Sequence, residues 1–260
     1  MAPGGGGRGM RKILIIGIGA GNPDHLTVQA IAALNRADVL FIPDKGEEKA
    51  DLRRLREDIC ARFIRDPGYR SIGFDLPRRR VPDNDYLDTV DDWHARIAER
   101  YMALFTEHLA PGETGALLVW GDPALYDSTL RIIDRIRGSG FALDHEVIPG
   151  ISAVQALAAS HRIPLNRIGA PVLLAPARRI ADGLPETDVV VVLDGEQTFG
   201  RFTDAPVEIF WGAYLGTPDE IIVSGPLAEV ADEITRLRAE ARARKGWIMD
   251  TYLLRRTGDD

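Results

Sequence analysis

The stretch Lys12-Ile13-Leu14-Ile15-Ile16-Gly17-Ile18-Gly19-Ala20-Gly21 opens the ordered part of the chain. Its unbroken aliphatic run, rich in β-branched Ile, predicts a short strand over 12–16. The glycines after it are loop chemistry. A helix is predicted over 27–34 with Thr27 as N-cap, then a strand over 39–42 closed by Pro43-Asp44-Lys45-Gly46. Helices follow over 47–63 and 85–109, separated by an irregular stretch, 66–82, that carries Arg78-Arg79-Arg80. Strands over 115–120 and 145–148 alternate with helices over 130–137 and 153–160. Alternation of this kind implies a mostly parallel sheet covered on both faces.

After Pro164 the pattern changes. Short apolar strands are predicted over 172–174, 189–193, 207–210 and 221–223, with a short helical piece over 180–184 and a long helix over 227–244. Fewer helices separate these strands, so a mixed or antiparallel sheet is expected. The fold class is therefore α/β. Two α/β domains are predicted, an N-terminal one with a parallel sheet (11–165) and a C-terminal one with a mixed sheet (166–260). A disordered leader (1–10) precedes them, and the two domains are expected to share a cleft.

Composition excludes several function classes. The 260 residues carry a formal net charge of −7, which argues against a nucleic-acid partner. The single cysteine, Cys60, allows neither a disulfide framework nor a thiolate zinc site, and its helical surroundings suggest a core thiol. No His cluster has zinc-ligand spacing, so no metal is expected. The longest apolar runs, such as 189–193, are too short to span a bilayer, and a signal-peptide core is absent. A cytoplasmic setting follows as the default.

Gly17-x-Gly19-x-Gly21 after a first strand invites a dinucleotide reading, with Asp44 placed for a ribose hydroxyl. The fingerprint requires Gly or Ala where this chain has Asn22, followed by Pro23-Asp24. The helix therefore starts too late to aim its N-terminus at a phosphate.

A second reading uses more of the chain. Gly19-Ala20-Gly21-Asn22 with Leu26-Thr27, Ala37-Asp38-Val39-Leu40, Gly121-Asp122-Pro123, Pro149-Gly150-Ile151-Ser152-Ala153 and Pro218-Asp219-Glu220-Ile221 stand in order. In this order and spacing the chain resembles the tetrapyrrole (class III) methyltransferases. Narrower segments resemble a corrin-ring subgroup: 120–129 from Trp120 through Tyr126-Asp127-Ser128, 150–155, 210–220 from Phe210-Trp211-Gly212-Ala213-Tyr214, and 246–252. The resemblance implies a C-methyltransferase of corrin biosynthesis whose turnover also releases acetate. Same-fold methyltransferases acting on another tetrapyrrole, a protein or RNA are the alternative, and a non-catalytic nucleotide-binding module is a third.

The resemblance implies S-adenosyl-L-methionine as cofactor, held by Ala20, Trp120, Gly121, Asp122, Leu125, Ser152, Ala153, Leu193, Ala213 and Leu227. Ala20 and Asn22 depart from the family's proline and aspartate. Asp122 also fits a turn cap, and Ser152 a helix N-cap. The implied partner is a polycarboxylate tetrapyrrole, for which Lys45, Arg78, Arg79, Arg80 and Arg131 are candidate cations. Arg78-Arg79-Arg80 reads equally as a solvated charge run. Acetate release calls for a base and an oxyanion donor; Asp44, His94, Tyr126 and Asp127 are the candidates. His25, His108, His145 and His161 are expected to be structural or exposed. The resemblance also allows a homodimer.

Overall fold

The computed structural model describes residues 10–44, 50–66, 68–77 and 86–258. Two compact units share these residues. Unit 1 runs to Gly19 and from Pro23 to Ile151; unit 2 takes Ala20–Asn22 and everything from Ser152. The leader at 1–9, Lys45 and Arg78 to Arg80 lie outside the described residues.

Unit 1 contains β1 (Arg11–Gly17), α1 (Val28–Leu34), β2 (Val39–Asp44), α2 (Ala50–Phe63), β3 (Arg70–Asp75), α3 (Tyr86–His108), β4 (Thr114–Val119), α4 (Thr129–Gly138) and β5 (Leu143–Ile148). Its five strands are all parallel, in the order β3-β2-β4-β1-β5. The aliphatic run of β1 is explained by burial on both sides. Ile13 and Ile15 pack with α3 and α4, whereas Leu14 and Ile16 pack with α1 and α2. The helices that follow β1 and β4 thus cover opposite faces. The carboxyl ends of these neighbouring strands form the switch point where open α/β sheets bind ligands.

Unit 2 contains α5 (Ala153–His161), β6 (Val172–Pro176), β7 (Asp188–Val192), β8 (Val207–Ala213), β9 (Ile221–Pro226), α6 (Leu227–Lys245) and β10 (Asp250–Arg256). Its sheet order is β6-β7-β10-β8-β9; β6 and β7 are parallel and the other pairs antiparallel. One face packs Val189, Val191, Trp211 and Tyr252 against Leu227 and Ile234 of α6. The other packs Val190 and Leu253 against Val154 and Leu157 of α5, with Ala20 in the same cluster.

Four features differ from the sequence reading. The units part between Ile151 and Ser152, ahead of α5 rather than near Pro164, because α5 buries its apolar residues on the unit 2 sheet. Strand β3 lies inside the stretch read as irregular. It is an edge strand with only Phe74 buried, so it carries no apolar pattern. Strand β10 was not anticipated, yet it is the central strand of unit 2. The short helical piece placed at 180–184 is a 3-10 turn at Ala177–Arg179. Among the described residues, no helix is long and apolar enough to cross a membrane.

Candidate functional site

The loops leaving β1, β4 and β5 are knit together through glycines. Gly19 and Gly121 form an antiparallel bridge, with Gly121 N–H donating to Gly19 O at 2.8 Å and Gly19 N–H to Gly121 O at 3.3 Å. Gly121 sits at φ 69°, which an L side chain adopts only with strain. A Cβ on Gly150 would lie 2.2 Å from Gly121 O, and one on Gly17 would lie 2.6 Å from Gly150 N. The small residues at this junction are therefore a packing requirement.

Asp122 completes the knot. Its Oδ2 accepts from Gly150 N–H at 2.8 Å and its Oδ1 from Ala124 N–H at 2.7 Å. Both carboxylate oxygens thus hold backbone, which matches a turn-cap role. Trp120 stands just before Gly121 and is half-buried. Its indole Nε1 is buried without a hydrogen-bond partner. A buried orphan donor is costly, and this one lies in the loop at the switch point. Leu125 is half-buried, with its N–H donating to Asp122 O at 3.2 Å. Tyr126 is 45% exposed at φ 51°. Strained backbone and an exposed ring together are a mark of functional loops.

The remaining candidates in unit 1 divide. Asp127 Oδ1 accepts from Thr129 N–H at 2.7 Å, and its carbonyl accepts from the exposed Arg131 at 3.2 Å. His94 Nε2 and Ser128 Oγ are 2.9 Å apart. Asp44 is ion-paired to Arg53 at 3.0 Å on a partly exposed surface. His25 packs against Gly19 and leaves a buried Nδ1 unpartnered.

Unit 2 carries the other expected cofactor residues. Ala20 is buried among Val154, Leu157, Leu215 and Leu253. Ser152 caps α5 in a capping box with Gln155, and Ala153 is the first helical residue. Leu193, just after β7, is 61% exposed at φ 56°. An exposed apolar residue in a strained conformation fits contact with a ligand. Ala213 and Leu227 are fully buried, at the end of β8 and the start of α6.

In both units, buried charged residues escaped the sequence reading. Arg56 of α2 donates to Leu118 O at 3.2 Å and Leu52 O at 2.7 Å. Burial pulls its guanidinium pKa down, opposed by the charges of Tyr101, Asp127 and Cys60. It interrupts an apolar face made by Leu52, Ile59 and Cys60, and that interruption was the available signal. In unit 2, Arg238 pairs with Asp250 at 2.8 Å, and Asp250 also accepts from Trp211 Nε1 at 2.9 Å. Burial raises the Asp250 carboxyl, and the Arg238 bond opposes it. Asp194 accepts from Tyr252 Oη at 2.7 Å and from Thr198 N–H at 2.7 Å, fixing the loop after Leu193. Cys60 is a core thiol, pushed up to about 12 by burial.

Comparisons with known proteins identify the family and the fold. Residues 12–231 match the family model for Tetrapyrrole (Corrin/Porphyrin) Methylases. The chain is 57% identical over 254 residues to a Sinorhizobium sp. protein named precorrin-6A synthase [deacetylating], covering 96% of this chain and 97% of that one. A cobalamin synthesis related protein (CobF) of Corynebacterium diphtheriae superposes with a TM-score of 0.83 at 36% identity, over 96% of this chain and all of that one. A uroporphyrin-III C-methyltransferase of Thermus thermophilus, solved with S-adenosyl homocysteine, shares the fold with a TM-score of 0.57 at 19% identity, over 94% and 96% of the two chains.

Proposed function

Since this chain belongs to the tetrapyrrole (corrin/porphyrin) methylase family, we propose that it is the deacetylating corrin C-methyltransferase, precorrin-6A synthase. It methylates precorrin-5 at C-1 and releases acetate, giving precorrin-6A. The observation that carries this reading is identity to the Sinorhizobium sp. enzyme over nearly the full length of both chains.

S-adenosyl-L-methionine supplies the methyl group. The chain offers it groups of the right kind. The unpartnered Trp120 Nε1–H is a donor for a carboxylate or ring nitrogen, and the Gly19–Gly121 bridge keeps side chains away from the loop. Gly121, Asp122 and Leu125 shape that loop in unit 1. Ala20, Ser152, Ala153, Leu193, Ala213 and Leu227 are the corresponding set in unit 2. Asp122 acts by holding Gly150 and Ala124. Methyl transfer needs little beyond alignment and exclusion of water, which suits loops built from Gly, Pro and small residues. Arg131 and the cations at 45 and 78–80 are proposed for the carboxylates of the tetrapyrrole. A cytoplasmic setting and a homodimer complete the proposal.

The test is incubation with precorrin-5 and methyl-labelled cofactor. Labelled corrinoid together with free acetate is the expected result. Label without acetate would assign the chain to a different corrin methylation. Failure to bind S-adenosylhomocysteine in the micromolar range by calorimetry would remove the methyltransferase reading itself.

A further inference from the structure

Release of an acetyl group from a macrocycle breaks a carbon–carbon bond and consumes water. Something must attack the acetyl carbonyl, and something must take the proton. Ser128 and His94, 34 residues apart in the chain, are set for both tasks in unit 1, with Ser128 Oγ 2.9 Å from His94 Nε2. Ser128 occupies the N-cap of α4, where a serine hydroxyl normally accepts from the helix backbone. Here it makes no capping bond. Asp127 Oδ1 accepts from Thr129 N–H, and the Ser128 hydroxyl stands against the imidazole.

The surroundings hold this pair in place. Arg135 of α4 grips Asp91 of α3 through two contacts, 2.7 and 3.2 Å. The Trp93 ring lies 5.4 Å from the His94 ring and is fixed by Nε1–H donation to Pro77 O at 2.8 Å. A hydroxyl beside an imidazole is the arrangement that activates a serine nucleophile. The first turn of α4 adds the N–H groups of Leu130 and Arg131, which have no partner within a helix. Such donors suit a developing oxyanion.

The geometry points to Ser128 as an acetyl acceptor with His94 as its general base, an inference that rests on the proposed deacetylating reaction. Ser128 Oγ bonds to the acetyl carbonyl carbon while its proton passes to His94 Nε2. Collapse of the adduct breaks the bond from that carbon to the macrocycle. The electron pair stays in the conjugated ring, available to the carbon that takes the methyl. His94 gives its proton to solvent. Water then adds to the seryl acetate with His94 again as base, acetate leaves, and the Ser128 hydroxyl is restored.

The probe is p-nitrophenyl acetate with the full chain, read by the p-nitrophenolate burst and by peptide mass mapping. Acetylation at Ser128 is expected, lost in Ser128→Ala and about a hundredfold slower in His94→Gln. If Ser128→Ala fails to fold, Ser128→Cys should carry the acetyl group on its thiol. Acetylation confined to lysines, or a burst unchanged in the Ser128 variants, overturns the inference and leaves the pair as a structural pin between α3 and α4. Calorimetry with S-adenosylhomocysteine on the same samples separates the two readings. Binding without Ser128 acetylation sinks the acetyl acceptor and spares the methyltransferase. Ser128 acetylation without binding sustains the acetyl acceptor and sinks the methyltransferase.

Discussion

Gly150→Ala tests whether the glycine junction sets the site. The added Cβ would stand 2.2 Å from Gly121 O, 2.8 Å from Gly17 C and 2.9 Å from Gly17 Cα. All three are backbone atoms, so no side chain can swing aside. A comfortable C–H···O contact is about 3.3 Å, so the loops after β1, β4 and β5 must part by about 1 Å. Overpacking of this kind costs about 1–3 kcal/mol. Reduced freedom of the unfolded chain returns about 0.5 kcal/mol. The net loss of about 1.5 kcal/mol corresponds to a fall of about 3–6 °C in the thermal midpoint. The same displacement moves Trp120 and Gly121, so S-adenosylhomocysteine affinity should drop about tenfold or more. Gly138→Ala is the control. It ends α4, and a Cβ there meets nothing within 4 Å, so about 0.5 kcal/mol of stabilisation is expected. Calorimetric melting and ligand titration of both variants decide the matter. A Gly150→Ala protein that melts and binds like wild type would refute the reasoning.

Three further outcomes follow from named contacts. Trp120→Phe keeps an aromatic ring, smaller than the indole, and removes the unpartnered N–H; S-adenosylhomocysteine should bind about threefold to tenfold more weakly, worth about 1 kcal/mol, and unchanged affinity would show that the donor meets no ligand. Arg238→Met leaves the Asp250 carboxylate buried beside the neutral Trp211 Nε1–H donor; a loss of about 3–5 kcal/mol in denaturant unfolding is expected, shrinking as acid neutralises the carboxyl. Glu146 is held down at about 2, first by the Arg36 hydrogen bond and then by Lys12. A depressed acid stabilises above its unfolded value of about 4.3 and loses that contribution as pH falls toward 2. Glu146→Gln should therefore cost about 1 kcal/mol at pH 7, after discounting for solvent, and almost nothing near pH 2; an equal deficit at both pH values would contradict the assignment.

The sequence revealed buried elements better than edges. The runs at 13–16 and 189–192 are apolar on both faces, so they read as strands without help from context. Strand β3 sits at a sheet edge and offers a single buried side chain, Phe74. Strand β10 ends in Arg255 and Arg256, whose charges hid a central strand that buries Asp250 to Leu254. Site residues divide in the same way. Gly121, Asp122 and Pro123 are adjacent in sequence, and their spacing carried the resemblance. The Ser128–His94 contact depends on α3 lying over α4, and the Arg238–Asp250–Trp211 contacts bring three separated segments of unit 2 together. Neither tertiary arrangement has a local sequence signature.

One consequence concerns the order in which the chain is made. Ala20–Asn22 belongs with unit 2, and Gly21 is fitted so closely that a Cβ there would stand 2.4 Å from Thr217 Cγ2 and 2.9 Å from Leu215 O. Those partners leave the ribosome about 200 residues later, roughly 10–40 s at ordinary synthesis rates. Throughout that interval the parallel sheet of unit 1 can form, but the loop from its first strand has no seat. Residues 20–22 should therefore be among the last to become protected from hydrogen exchange during synthesis, although they are among the first to be translated.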